Sequence, residues 1–211
     1  AWEIAETRLR SEIQLIAPPR IAYSVPRKSR PRCIMALTVL VCESGSAAKA
    51  PDLPDDRVRI GALFRHRSVP LKTASELFEV VRALAKVPSA FVVRGRVKDT
   101  APDIILRRYL GKDAHLEPDP QRWLCLDLDR PELVTTEYDV ETQPEHAAAI
   151  IRTRLPESLR SARCLFQFSA SARGKVARCH IWFWLDRPMS DAAIKASLSS
   201  FPCDRMLYTP V

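Results

Sequence analysis

The sequence predicts an α+β fold, a mixed or antiparallel sheet with packed helices. Three observations carry this. Strand-like apolar runs recur at 37–42, 122–129 and 178–185. Amphipathic stretches with helical spacing lie between them, at 73–86 and 146–155. Two strand-like runs, 164–168 and 178–185, stand close enough to pair. At 211 residues, with 46% hydrophobic and 27% charged residues, the chain suffices for one medium domain with a proper core.

Residues 1–34 carry seven Lys/Arg and three Glu, a net +4 that is half of the whole chain's +8. Their weak periodicity predicts a basic, proline-containing extension without stable structure. Position 1 is not Met, whereas Met35 opens the run MALTVLVC. The domain is therefore expected to span 35–211, and 1–34 to be an extension or to precede the native start.

Strands are expected at 37–42 and 58–64, on either side of the loop ESGSAAKAPDLPDD. Thr73-Ala-Ser-Glu76 is a capping box that opens a helix reaching about residue 86, with Leu77, Val80, Val81 and Leu84 on one face. FVVRG at 91–95 reads as a short strand stopped by Gly95, and the polar stretch 96–121 as surface. The 122–129 strand follows, then a helix over 146–155 ended by Pro156. A strand at 164–168, a loop at 169–177, a strand at 178–185 and a helix from Ser190 to about Ser200 complete the order before FPCDRMLYTP. The helices are expected on one face of the sheet.

No run has the length of an apolar membrane span and the N-terminus has no apolar secretory core, so a cytoplasmic protein is expected. Six cysteines include no Cys-x-x-Cys pair, and only Cys179 adjoins a histidine, His180. This argues against a zinc site and for buried, reduced thiols. A pI near 9.4 favours polyanionic partners.

The segment RWLCLDLD concentrates the chemistry. In an extended strand Leu124, Leu126 and Leu128 share one face, while Trp123, Cys125, Asp127 and Asp129 share the other. Two neighbouring carboxylates repel each other unless a cation or hydrogen bonds compensate, and a divalent metal ion is the natural neutraliser. The end of a strand before Arg130-Pro131 is also an ordinary place for solvated acids.

In RCHIWFWL, Cys179, Ile181, Phe183 and Leu185 share a face, and Arg178, His180, Trp182 and Trp184 share the opposite one. The loop before it offers Ser169, Ser171 and Gly174 with Arg173 and Lys175, whose hydroxyls, backbone N–H groups and charges suit a phosphate chain. A solvated hairpin loop beside a structural histidine is the plainer alternative. Asp204 alone would be a turn or cap residue.

Together, Asp-x-Asp on a strand, a Ser/Gly-rich basic loop leading to a strand with His, and a late single Asp resemble the archaeo-eukaryotic primase superfamily. The segments RWLCLDLD, FSASA and HIWFWLDRP are most similar to the primase-polymerase type carried by plasmids, phages and integrated elements. The likeness covers roughly residues 58–211 and is weakest at CDRML. Arg178 departs from the pattern, since many relatives have Ser two residues before the His.

The resemblance implies an RRM-like catalytic core with a small N-terminal α/β portion, and metal-dependent transfer of NTP or dNTP onto a chain directed by single-stranded DNA. Asp127, Asp129 and Asp204 would hold two Mg²⁺ or Mn²⁺ ions, their carboxylates on the order of 4 to 6 Å apart. His180 and Arg178 would bind the triphosphate, supported by Ser169, Ser171, Arg173 and Lys175; Trp182, on the same face, is expected to pack beneath the site, with stacking on a base as the alternative. Relatives continue with further sheet and often a helicase, so a C-terminally shortened fragment and a helicase domain or partner are expected. Two other classes compete. A catalytically silent nucleic-acid-binding replication module would share all these features, whereas a rolling-circle nickase would need a His-x-His pair where Arg178-Cys179-His180 stands.

Overall fold

The structure is a computed structural model and describes residues 35–42, 63–87, 89–107, 114–204 and 208. They fall in one compact unit, Cys33–Val211. The expected extension over 1–34, the loop at 43–56 and the first part of the 58–64 strand lie outside the described residues.

The chain forms an α+β domain with antiparallel sheets. Strand β1 (Ala36–Cys42) pairs with β2 (Leu63–Pro70) and β3 (Ala90–Val93), and β5 (Ile104–Leu106) extends β2, giving the order β3-β1-β2-β5. Strands β4 (Arg96–Val97) and β6 (Leu116–Glu117) form a small pair. The sheet with the acidic motif has the order β7-β9-β8, from β7 (Gln121–Leu128), β8 (Cys164–Phe168) and β9 (Cys179–Met189). The helices are α1 (Ala74–Leu84), α2 (Pro131–Val134), α3 (Pro144–Thr153), α4 (Glu157–Arg160) and α5 (Asp191–Ser197). Among the described residues no helix is long and apolar enough to cross a membrane.

The helix ends follow local chemistry. Glu76 N–H donates to Thr73 Oγ1 at 3.2 Å, as a capping box requires, but the Glu76 carboxylate takes the N–H of Lys72 at 2.6 Å rather than that of Thr73. Pro144 starts α3 two residues before the expected boundary, in the position where its missing N–H costs nothing. Ser190 caps α5 by accepting from Ala193 N–H, and α5 ends at Ser197, short of Ser200.

Alternation along β7 divides the core. Leu124, Leu126 and Leu128 pack with Ile181 and Phe183 of β9, and against Ala147 and Ile151 of α3 and Ile194 of α5. Trp123, Cys125 and Trp182 face the other way, onto Leu37 and Val39 of β1 and Leu77, Phe78 and Val81 of α1. Helices thus cover both faces of the β7-β9-β8 sheet, not one. The reason is that β7 buries large apolar side chains on both sides.

Two further expectations are corrected. Within the described residues the second strand runs over 63–70 rather than 58–64; Phe64 enters one core cluster and Val69 packs against another, while Arg65 and Arg67 stay exposed. The stretch 96–121 is not mere surface: it contributes β4, β5 and β6, and Ile105 and Leu116 are fully buried in a third cluster with Leu40, Phe64 and Val93.

The β7–β9 register slips between Gln121↔Met189 and Trp123↔Trp184. Such an irregularity leaves backbone carbonyls off the ladder, and arginines take them. Arg94, which is 3% exposed, donates Nη1 to Trp123 O, Nη2 to Met189 O at 2.7 Å and Nε to Asp191 Oδ1 at 2.6 Å. Arg122 donates to Leu185 O at 3.0 Å and Asp186 O at 2.7 Å while stacking on Trp184.

Candidate active site

The strand register gathers residues that are far apart in sequence. Asp127 lies opposite His180 across β7 and β9, and His180 lies opposite Gln167 across β9 and β8. On the outer edge of β7, Asp204 forms an isolated antiparallel bridge with Asp127, its N–H donating to Asp127 O at 3.0 Å. Residues directly opposite in a sheet project to the same face, with Cβ atoms about 4.5–5.5 Å apart. Gln167, His180, Asp127 and Asp204 therefore form one row across the sheet.

One step inward on this face stand Cys125, Trp182 and Leu165, packed in the core with α1 and β1. One step outward the ladder ends: Leu128↔Cys179 is the last β7–β9 pair, and Ser169 N–H donates to Arg178 O at 2.9 Å. Asp129 and Arg178 follow that last pair and are exposed. The face is thus sealed at its tryptophan end and open at its acidic end, which makes a half-buried row between a packed core and the surface.

Within the row, His180 Nε2 lies 3.5 Å from Asp127 Oδ1, with both side chains about one-third exposed. At that exposure the pair orients the two groups more than it stabilises the fold. Asp129 sits two residues along from Asp127, about 7 Å at strand spacing, whereas Asp204 is the closer neighbour across the edge. The donors have the right chemistry for a hard divalent ion. As the side chains are arranged, the described residues contain no group of three or more His, Cys, Asp or Glu able to hold a metal ion.

The basic loop spends part of its backbone donors on its own turns. The backbone N–H groups of Ala172, Arg173, Val176 and Ala177 are spent on Ser169, Val176, Arg173 and Val134 carbonyls, so they do not cradle a phosphate. Two more bonds, Thr136 N–H to Lys175 O and Val140 N–H to Gly174 O, pin the loop to the segment after β7. Gly174 has φ 52°, a left-handed turn at the tip that favours glycine. The loop also presents side chains: Ser169 and Ser171 hydroxyls in contact at 2.9 Å, and exposed Arg173 and Lys175. Among the described residues, Arg173, Lys175 and Arg178 have no acidic partner.

Beneath the row the ionisable groups are held neutral. Burial, aided by the Asp127 charge, pushes the Cys179 thiol up to about 12 and the Cys125 thiol well above its usual range. Burial also raises Tyr208, whose hydroxyl donates to Cys125 O and accepts from Cys125 N–H at 3.2 Å, satisfying the edge of β7. All described cysteines are free thiols. For acids whose folded pKa is raised, the native state keeps protons that the unfolded state releases, so stability is complete below the unfolded pKa and falls as pH rises. Stability in metal-free buffer should therefore hold up to about pH 8.5 and then fall by roughly 1.4 kcal/mol per buried thiol per pH unit, with Tyr208 joining only above about pH 10. A flat profile across that window would overturn the assignment of buried neutral thiols.

The structure thus brings together Asp127, Asp204 and His180, sets Asp129, Arg178 and Ser169 at the row's outer margin, and leaves Ser171, Arg173 and Lys175 on the loop beyond. Sequence reasoning missed Gln167; its one signal was that it is the only polar residue of CLFQF. Comparison with protein-family models, with curated proteins and with solved structures gives no match.

Proposed function

We propose that this chain is the catalytic domain of a metal-dependent nucleotidyltransferase, a primase-polymerase that adds NTP or dNTP to a chain directed by a single-stranded template. The observation that carries the reading is the row itself. Asp127, His180 and Asp204 come from three separate sequence motifs, and pairing across β7 makes them neighbours.

The topology supports an RRM-like core. In chain order the elements run β7, α3, β8, β9, α5 and the Asp204 bridge, and across the sheet they run Asp204, β7, β9, β8. That is the pattern of a split βαββαβ unit, in which a central hairpin strand separates two parallel ones. Asp127 and Asp204, with Asp129 beside them, would hold Mg²⁺ or Mn²⁺. A bound pair of such ions supplies activation of the attacking hydroxyl and neutralisation of the leaving pyrophosphate. His180 and Arg178 would orient the triphosphate, and Arg173, Lys175 and the Ser169 and Ser171 hydroxyls would add charge and hydrogen bonds from the loop. The +8 net charge fits a single-stranded nucleic-acid template. A cytoplasmic role in replication of a mobile element, with a helicase as partner, belongs to the same reading.

The test is template-directed incorporation of labelled nucleotide on single-stranded DNA with Mg²⁺ or Mn²⁺. Incorporation is expected. Binding of the strand without incorporation under either ion would favour a silent binding module instead. His180→Ala and Arg178→Ala should each weaken nucleoside triphosphate binding by about 10-fold or more, the worth of a hydrogen bond to a charged group, and leave strand binding nearly unchanged. Unaltered nucleotide affinity in both variants would return β9 to a purely structural role.

A further inference from the structure

Gln167 occupies the end of the row, on the far side of His180 from the acids. Its direction is set. Trp182 Nε1 donates to Gln167 Oε1 at 3.1 Å, and an indole N–H can only donate, so the amide oxygen must face the tryptophan. The Nε2 group then points away with two N–H donors, and it bonds no described residue. Trp182 is 7% exposed and rests against Trp123 at 5.6 Å between ring centroids, so the indole is itself firmly placed.

Satisfying an indole N–H does not explain this pairing. The neighbouring Trp123 Nε1 is buried with no partner, so this core does not demand such a bond. Apart from Gln167, β8 is apolar throughout, and Leu165 on the same face packs into the core. A half-buried amide held donor-outward beside His180 has the form of a ligand-reading group. Neutral and donor-only on its open side, it suits an anionic oxygen without adding charge.

We propose that Gln167 Nε2 binds a phosphate oxygen of the incoming nucleoside triphosphate, with Trp182 as the positioning residue; this rests on the nucleotidyltransferase reading. Neighbouring strands lie about 4.8 Å apart, so the amide stands roughly 10 Å from the Asp127 position. There it meets the end of a polyphosphate that crosses His180 from the acids. The same donor could meet a template phosphate, and the two sources are separable by experiment.

The experiment measures binding of a labelled nucleoside triphosphate, binding of a labelled single-stranded oligonucleotide and the thermal midpoint, for wild type, Q167M, Q167E and W182F. Methionine keeps the length and loses the donors. Glutamate keeps the acceptor for Trp182 but presents a negative oxygen outward. Expected are triphosphate affinities weaker by about 10-fold for Q167M, more for Q167E and about 3-fold for W182F, whose glutamine is free to turn. Oligonucleotide affinity should stay near wild type in all three variants and the midpoint in the two Gln167 variants, whereas W182F shrinks a core side chain and should lower the midpoint as well. Triphosphate binding by wild type with equal binding by Q167M overturns the assignment. So does a loss confined to the oligonucleotide, or a loss in both ligands that tracks a lowered midpoint. If wild type itself binds no triphosphate, the nucleotidyltransferase reading fails instead.

Discussion

Asp127→Asn combined with Asp129→Asn is expected to lower nucleotide incorporation by at least about a thousand-fold while single-strand binding holds or rises slightly. Both parts follow from charge. Metal stabilisation of the transition state is worth several kcal/mol, and an amide pair no longer provides the anionic oxygens a hard divalent ion needs. On the proposed reading strand binding would depend on the net positive charge, which the exchange increases from +8 to +10. Stability should be preserved. Asp129 is exposed, and the Asp127–His180 pair is partly solvated, so its loss costs at most about 1 kcal/mol. The measurement is incorporation and strand affinity on the same preparations, with a denaturation midpoint as control. Residual incorporation near the wild-type level would remove the acids from the chemistry. A parallel loss of strand binding would mean that the row serves the fold or the template, not nucleotide transfer.

The division of faces was legible in the residues. A period of two in RWLCLDLD and RCHIWFWL separates leucines from the acid, histidine and tryptophan face, and the structure divides them that way. Other features have no such local trace. Strands of two or three residues, such as β4, β5 and β6, are too short to show a period, so Ile105 and Leu116 were submerged in a polar stretch. The strand β2 runs Arg65, His66, Arg67 and Ser68 together without apolar alternation, and its limits are set by pairing with β1 rather than by its own composition.

The candidate site was legible only in part, for a related reason. The proximity of Asp204 to Asp127 depends on the order of strands, which periodicity does not encode; the likeness to a known set of motifs, not the residues themselves, pointed to it. Gln167 and Arg94 were missed because each acquires its role from a register. Gln167 is defined by the residue opposite it on β9. Arg94 is defined by carbonyls that a slip in the β7–β9 ladder leaves unpaired, and a lone arginine after FVV gives no hint of that.

Arg94→Ala should destabilise the domain by about 3–5 kcal/mol, the cost of breaking a buried ion pair, and lower the thermal midpoint by roughly 10 °C. The guanidinium serves three acceptors at once, and its planar fork suits carbonyls and a carboxylate lying in different directions. Arg94→Lys should recover only part of the loss, because one ammonium cannot reproduce that fork. Asp191→Asn should cost less than Arg94→Ala, since Arg94 keeps both carbonyls and Asp191 is 18% exposed on its side chain. The position of Arg94 also ties stability to the site. It follows β3 of the first sheet and grips the backbone of β7 and β9 where Trp123 is buried, so it fastens the cover that seals the inner end of the row. In Arg94→Ala, activity and midpoint should therefore fall together, whereas the Asp127/Asp129 exchange should lower activity alone. An Arg94→Ala protein within about 1 kcal/mol of wild type would show that the two sheets hold together without this clamp.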